Sequence, residues 1–422
     1  MSFEEVGRMF LELDGETLLH QIESLGKVGE DSSGGRTRLA LSTQDGYARD
    51  LLVQWMRELN LDVQVDPLGN VFGIMYGEAG ASSNALMIGS HIDTVINAGP
   101  FDGVYGVLSG LAVVRAFRDA GVRPSRPIIV AAFTNEEGVR FQPDMLGSLF
   151  FSGGISLDQA LAIKGVDGLL LHEELRRIGY AGRNGYRRIL PTEYLELHVE
   201  QGPVLDRKKI DIGVVQNLQG ISWKRIEILG MANHAGTTPI SMRSDAGFAA
   251  ARIVVFLREY AERYEDMRTT VGSLHFSPGL INVIPSKAVL TVDMRHPTND
   301  ALVEGEEKLL AFLDILREEE SVEIQVESLA RFEPVQFNEE LAGAIEYAAK
   351  KRGFSAMRIT SGAGHDAQML ARVCKSAMIF VPSKDGISHN PAEYTAGEQL
   401  LNGATILLDV VAERLLCNGR AQ

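Results

Sequence analysis

Apolar residues recur at helical spacing over residues 45–60, and the chain then alternates apolar and polar positions over 61–77, as two short extended pieces around Pro67-Leu68-Gly69. This predicts a helix feeding a strand. The alternation continues with a strand at 85–88, a helix over 103–120 with small residues on one side, a strand at 126–133 carrying Ile128, Ile129 and Val130, and helical spacing through 156–178. Helices alternating with strands that read as apolar runs predict an α/β domain around a mostly parallel sheet.

From about residue 213 the order becomes strand (222–229), helix (244–264), strand (269–276), strand (287–295), helix (300–319) and strand (321–328). This β-α-β-β-α-β order is the split βαβ, ferredoxin-like α+β arrangement. After residue 332 the first pattern resumes with helix 338–352, a Gly-rich turn, helix 366–372, strand 377–381 and helix 396–416. The simplest account is a larger domain of residues 1–215 and 333–422 with a smaller one, 216–332, inserted into it, the chain crossing at about 215–219 and 331–335. No internal repeat or low-complexity segment is present, and residues 31–36 and 78–84 read as surface loops.

Composition narrows the function. With 45% hydrophobic and 23% charged residues the chain is neither disordered nor a disulfide scaffold, and 422 residues suffice for two or three domains. Its net charge of −15, with no compensating run of basic residues, argues against nucleic acid or an anionic membrane as the main partner. Cys374 and Cys417 form no disulfide framework or metal pattern, the acidic, amphipathic start lacks the order of a signal peptide, and no apolar stretch is long enough to span a bilayer. These features describe a cytoplasmic protein.

The nine histidines divide by context. His20 and His172 in amphipathic helical stretches, His275 in a strand and His296 before Pro297 read as structural or surface residues. His91, His198, His234, His365 and His389 sit in loops or at strand ends among Gly, Asn and acids. His91 and Asp93 follow the strand ALMIG, and the two-residue period of an extended chain puts them on one side, where the carboxylate can fix the imidazole tautomer. Asp102, in GPFDG, projects from a tight loop before a helix, where a loop or helix-cap aspartate is common. Glu136 and Glu137 end a buried strand, where open α/β sheets place their sites, and two adjacent acids repel unless cations are present or one is protonated. His198, in LELHVEQGP, and His389, in GISHNP, each fit a ligand or a satisfied loop histidine. Together these residues fall mostly at or just past strand ends, and they form the donor set of a two-cation hydrolytic centre.

Six blocks in order, GSHIDTVINAGPFDGVYGVLSG, FTNEEGVRFQPDMLGS, LHVEQGPVLD, ANHAGTTP with MRSDA, GHDAQMLA and GISHNPAEYT, resemble the N-carbamoyl-L-amino-acid amidohydrolase/allantoate amidohydrolase group of the di-zinc aminoacylase and carboxypeptidase clan. The resemblance spans about residues 15–415. It implies two divalent metal ions per subunit (zinc, manganese, cobalt or nickel), one bound by His91 and His198, the other by Glu137 and His389, with Asp102 bridging. It further implies Glu136 as general base, Asp93 as the residue orienting His91, and an inserted lid and dimerisation domain over about 216–332. In that domain His234 would reach the partner subunit's active site to stabilise the oxyanion. Gln201, Asn282, Arg295 and Gly364 would hold the substrate, with Arg295 pairing its carboxylate. In the related peptidases the His198 position carries an acid, so a histidine there points to the carbamoyl-cleaving branch.

The implied reaction is hydrolysis of a ureido C–N bond in an N-carbamoyl-L-amino acid, giving the amino acid, ammonia and carbon dioxide. Allantoate, 3-ureidopropionate, dipeptides and N-acyl amino acids remain as other substrates of the same machinery, because pocket shape decides among them. A non-catalytic binding protein would be expected to have lost a ligand or Glu136, and a nucleophilic amidase would need a Cys–His motif or a GxSxG elbow, neither of which is present.

Overall fold

The structure, a computed structural model, describes residues 11–78, 80, 84–182, 186 and 188–416. The first ten residues of the amphipathic start, part of the 78–84 loop and Cys417 lie outside the described residues. The described chain divides into two compact units, one from Met1–Gln216 and Phe337–Gln422 and the other Asn217–Gln336. Each unit has its own hydrophobic core.

The described strands of the larger sheet are β1 (Asp62–Val65), β2 (Val71–Met75), β3 (Ala85–His91), β4 (Ile128–Phe133), β5 (Pro191–Val199), β6 (Ile212–Leu218), β11 (Val335–Gln336), β12 (Ala356–Ser361) and β13 (Lys375–Val381). They form a sheet in the order β1-β2-β4-β3-β5-β13-β6-β11, with β12 also on β6. The parallel part is its centre, β4-β3-β5-β13, while β1, β2 and β6 run antiparallel to their neighbours. Every residue of β3 and β4 is buried, because helices cover both faces of a parallel centre, and their apolar runs lack polar alternation for that reason. The helix α3 (Val104–Asp119), after α1 (Gly15–Gly26) and α2 (Thr43–Glu58), packs on β3 and β5 so closely that a Cβ on Gly106 would stand 2.5 Å from the Leu197 carbonyl oxygen. Its small residues therefore belong to the packing contact with the sheet.

The second unit comprises β7 (Gly220–Leu229), α8 (Ala246–Arg263), β8 (Arg268–Ser277), β9 (Lys287–His296), α9 (Asn299–Glu319) and β10 (Glu323–Phe332). Here α4 to α7 are the short helices Leu146–Phe151, Leu157–Leu161, Leu171–Arg177 and Val204–Lys208 of the first unit. The antiparallel order β10-β7-β9-β8 is the ferredoxin-like one. The strand β9 buries every second residue, as a sheet with one covered face must. Asp245 caps α8 by accepting from Gly247 N and Phe248 N, both at 3.0 Å.

Two strands differ from the sequence reading. β6 lies where the sequence reading placed a crossing between domains, at about 215–219, and pairs antiparallel with β13, Val215 opposite Met378, so that it extends the large sheet. β12 occupies the stretch expected to be a Gly-rich turn; it is mostly half-buried and so lacks the apolar run that would have marked it.

Candidate metal centre

The parallel strands deliver their last residues to one edge. His91 at the end of β3 lies opposite Phe133 of β4, so Thr134-Asn135-Glu136-Glu137 begins beside it, and His198 on β5 lies opposite Phe380 of β13. The loop after β3 carries Asp102, and the loop after β13 carries His389. Sites in open α/β sheets form at such carboxyl ends because the loops there converge.

Asp102 is the centre of the arrangement. Its Oδ1 lies 3.5 Å from His91 Nε2 and 3.3 Å from His198 Nε2, and its Oδ2 lies 3.2 Å from His389 Nε2. Glu136 Oε2 stands 3.4 Å from His91 Nε2, and Glu137 Oε2 stands 3.5 Å from His389 Nε2. All are buried or half-buried except His389, which is exposed at the mouth. His91, Asp102 and His198 form one group whose potential ligand atoms lie within 4.8 Å of one another, and Asp102, Glu137 and His389 form another. A third, His91 with Glu136 and Glu137, meets the same criterion.

The donor set fits divalent cations. Nδ1 of His91 bonds to the Asp93 carbonyl oxygen and Nδ1 of His198 to that of Val199, both at 2.9 Å, so each ring carries its proton on Nδ1 and turns the Nε2 lone pair toward Asp102. A lone pair facing a carboxylate oxygen repels it unless a cation lies between them. Gly103 N–H also donates to His198 Nε2, at 3.1 Å. The buried Oε1 of Glu137 has no hydrogen-bond partner among the described residues.

Charge in this pocket is unbalanced. Burial works to raise Asp102, but when His198, His389 and His91 are protonated at Nε2 as well, as imidazolium rings, their hydrogen bonds hold it well below the usual carboxylate range. Burial pushes Glu136 well above that range, with Glu137 adding to it and His91 opposing. Burial, then the Asp102 charge, raises Glu137 to about 8, and the hydrogen bond to Asp102 raises His389 to about 9. Acids crowded this way are what bound cations would relieve.

The loops explain the precision. Gly103 has φ +66°, and a Cβ there would meet the His91 ring at 2.5 Å, so glycine is required twice over. Asp93 differs from the expectation that its carboxylate orients His91. The carboxylate is 3.9 Å from Nδ1 and instead accepts Glu136 N at 3.2 Å and Glu137 N at 3.3 Å, while the Asp93 carbonyl holds the imidazole. The acid loop is also clamped by Met145 N to Glu136 O at 2.7 Å and by Asn70, whose Oδ1 accepts Thr134 N at 2.8 Å.

Two residues that the sequence reading did not single out belong here, Glu393 and Glu196, together with His365, which it grouped with the loop and strand-end histidines but gave no role. Glu393 accepts Phe101 N at 2.9 Å and Ser388 Oγ at 3.0 Å, tying the Asp102 loop to the His389 loop; burial, then the Asp102 charge, raises it to about 7. Buried Glu196, two residues before His198 on the same strand, accepts from Ser90 Oγ at 2.7 Å and Ala367 N at 2.8 Å. Its available signal was an acid between Leu195 and Leu197 in a strand buried along its second half. His365 packs its ring 4.6 Å from that of His198, and burial holds it neutral.

Of the expected substrate residues, Gln201 donates from Nε2 to Asp102 Oδ2 at 2.9 Å, and Gly364 packs by Met145. His234, Asn282 and Arg295 lie in the second unit, apart in sequence and unit from the residues that make up the cluster. His234 caps the backbone as a loop histidine would, Nδ1 accepting from Gly236 N at 3.0 Å and Thr237 N at 3.2 Å, which puts its proton on Nε2. Asn282 O accepts Ala235 N at 3.0 Å beside it, and both side chains are exposed. Arg295 pairs with Asp293 two positions earlier on β9, Nη2 to Oδ2 at 2.8 Å. Among the other histidines, His20 and His275 are exposed, and His172 and His296 bond to backbone carbonyls.

Residues 87–413 match the profile of peptidase family M20/M25/M40. The chain is 38% identical to an N-carbamoyl-L-amino-acid amidohydrolase of Rhizobium meliloti over 404 residues, 95% of this chain and 96% of that one. It is 33% identical to an allantoate amidohydrolase of Bacillus subtilis over 395 residues, 92% and 95% of the two chains. Among solved structures it resembles a hydantoinase/carbamoylase family amidase from Burkholderia multivorans, with a TM-score of 0.92, 38% identity, and coverage of 96% and 98%.

Proposed function

This chain belongs to peptidase family M20/M25/M40 and is a hydrolase of amides, and from that premise we propose that it cleaves the ureido C–N bond of N-carbamoyl-L-amino acids, giving the amino acid, ammonia and carbon dioxide. The observation that carries the reading is Asp102 ringed by three imidazoles at 3.2–3.5 Å, with two raised carboxyls beside it. The substrate class is supported by relatives named for it over nearly their whole length. Allantoate is the second reading, supported by the Bacillus relative.

Two divalent cations, one held by His91 and His198 and the other by Glu137 and His389 with Asp102 between, would supply Lewis acidity and acidify water. The site chemistry suits zinc, manganese, cobalt or nickel. Glu136 accepts the proton of the attacking water and returns it to the departing nitrogen, a task suited to a carboxyl whose affinity for protons is raised by burial. Asp93 keeps the Glu136 and Glu137 peptides in place during this exchange. The roles of His234 as oxyanion donor, of Arg295 as carboxylate fork and of Gln201, Asn282 and Gly364 as substrate contacts rest on the resemblance. For His234 the Nε2 proton adds support. A homodimer in which His234 serves the partner subunit, working in the cytoplasm, completes the proposal. No helix among the described residues is long and apolar enough to cross a membrane.

The test is ammonia release by purified protein, chelated and then resupplied with manganese or zinc, across N-carbamoyl-L- and D-amino acids, allantoate and 3-ureidopropionate, with amino-acid product followed for dipeptides. Metal-dependent, L-selective cleavage that Glu136→Gln abolishes is expected. Activity on allantoate alone would move the substrate, and no metal-dependent hydrolysis of any of them would refute the reading.

A further inference from the structure

The first unit holds a cavity of about 760 Å³ none of whose lining residues belongs to the metal centre. It lies where β1 and β2 meet the ends of α2 and α3. Asp102 precedes the other end of α3, so that helix, at about 1.5 Å per residue, separates the two places by about 24 Å. Its volume is within the range of small-molecule sites.

Its charge is unlike the rest of the chain. Arg57 comes from one stretch of sequence and Arg118 and Arg123, five residues apart, from another; all three are exposed and have no acidic partner among the described residues. Arg118 makes one hydrogen bond, Nη2 to Asn60 O at 3.1 Å. Asp62 is the one acid in the lining, and it already accepts from Tyr76 OH at 2.5 Å and Gln64 Nε2 at 3.0 Å. The lining therefore carries 3 − 1 = +2 in a chain of net charge −15. The floor is apolar, with Ile74 and Phe117 buried. Arginines in a last helical turn complement the helix dipole, which accounts for Arg57 and Arg118 singly. Arg123 stands in the loop beyond α3 and joins them, which the dipole does not explain.

We propose that this cavity binds a small organic dianion with an apolar body, a phosphate monoester or a dicarboxylate. Guanidinium forks match phosphate and carboxylate oxygens bidentately, and the floor takes the apolar part. The sequence reading found no basic run because Arg118 and Arg123 are spaced by uncharged and acidic residues and Arg57 meets them only on folding.

Calorimetric titration of the full, metal-loaded chain with phenyl phosphate, phthalate and inorganic phosphate tests this. Before and after chelation, phenyl phosphate or phthalate should bind one per chain with a Kd below about 1 mM, and inorganic phosphate about tenfold more weakly for want of an apolar body. The tighter of the two organic probes names the source. Arg118→Glu/Arg123→Glu, at exposed positions that leave the core intact, should weaken binding at least about tenfold while leaving the hydrolysis rate unchanged. Binding that disappears on chelation, binding that the double variant leaves intact, or no saturable binding of either organic probe would each overturn the proposal.

Discussion

Replacing Gly103 by alanine tests the geometry of the metal centre with one methyl group. Gly103 holds φ 66° and ψ −48° at the start of α3, and the added Cβ would stand 2.5 Å from Cε1 and Nε2 of His91 and 2.6 Å from Cδ2. Carbon contacts relax at about 3.5–4 Å, so the ring must retreat by about 1 Å. It cannot simply turn aside, because Nδ1 is tied to the Asp93 carbonyl at 2.9 Å. Zinc–nitrogen bonds of about 2.0–2.1 Å tolerate roughly 0.2 Å, so such a shift takes Nε2 out of coordinating distance. Disturbing the partners that orient metal ligands costs about 10–100-fold in affinity, and displacing a ligand should reach at least the upper figure. The backbone strain of a side chain at positive φ costs about 1–3 kcal/mol against a typical stability of about 5–15 kcal/mol, so the variant should fold. Metal affinity is measured by competition with a chelator, stability by melting the metal-free chain, and activity by ammonia release. A folded variant whose metal affinity stays within about twofold of the parent's would refute the reasoning.

Three further outcomes are expected. Mixing Glu136→Gln chains with His234→Ala chains and allowing exchange should restore about a quarter of full activity if His234 acts across a dimer, since half the dimers are mixed and each has one intact site; no recovery would count against action in trans. Arg295→Lys should raise KM about tenfold with a smaller change in kcat, because lysine cannot supply the bidentate fork, and an unchanged KM would remove Arg295 from the substrate. Asp66 is buried, and burial raises its carboxyl to about 7 despite hydrogen bonds from Asn70 and Leu68. A folded value above the unfolded one means its contribution to stability falls as pH rises from about 4 to 7. The stability difference between Asp66→Asn and the parent should therefore move in the variant's favour by about 2–3 kcal/mol from pH 5 to 7.5, measured by urea unfolding, and a constant difference would refute the assignment.

Much of this molecule was legible along the chain. Apolar runs marked β3 and β4, period-two alternation marked β9, and the β-α-β-β-α-β order of the second unit followed from spacing alone, because burial of one face or both imposes its period on the sequence. The parallel strands also mark where their own loops will meet, so His91, Glu136, Glu137 and His198 could be named from their places at strand ends. β12 escaped notice because a half-buried strand leaves no such period.

What only the tertiary structure decided are the partners of each side chain. Local pattern put the Asp93 carboxylate beside His91, but folding gave it the peptides of Glu136 and Glu137, more than 40 positions on. Gln201 met Asp102 across 99 positions, Glu393 met Phe101 across 292, and Arg57 came to face Arg118 and Arg123 around one cavity. Periodicity records which face of an element is buried, and it reaches only as far as the element does. A hydrogen bond between distant loops depends on the register and approach of several elements at once, which become definite only when the chain has closed on itself.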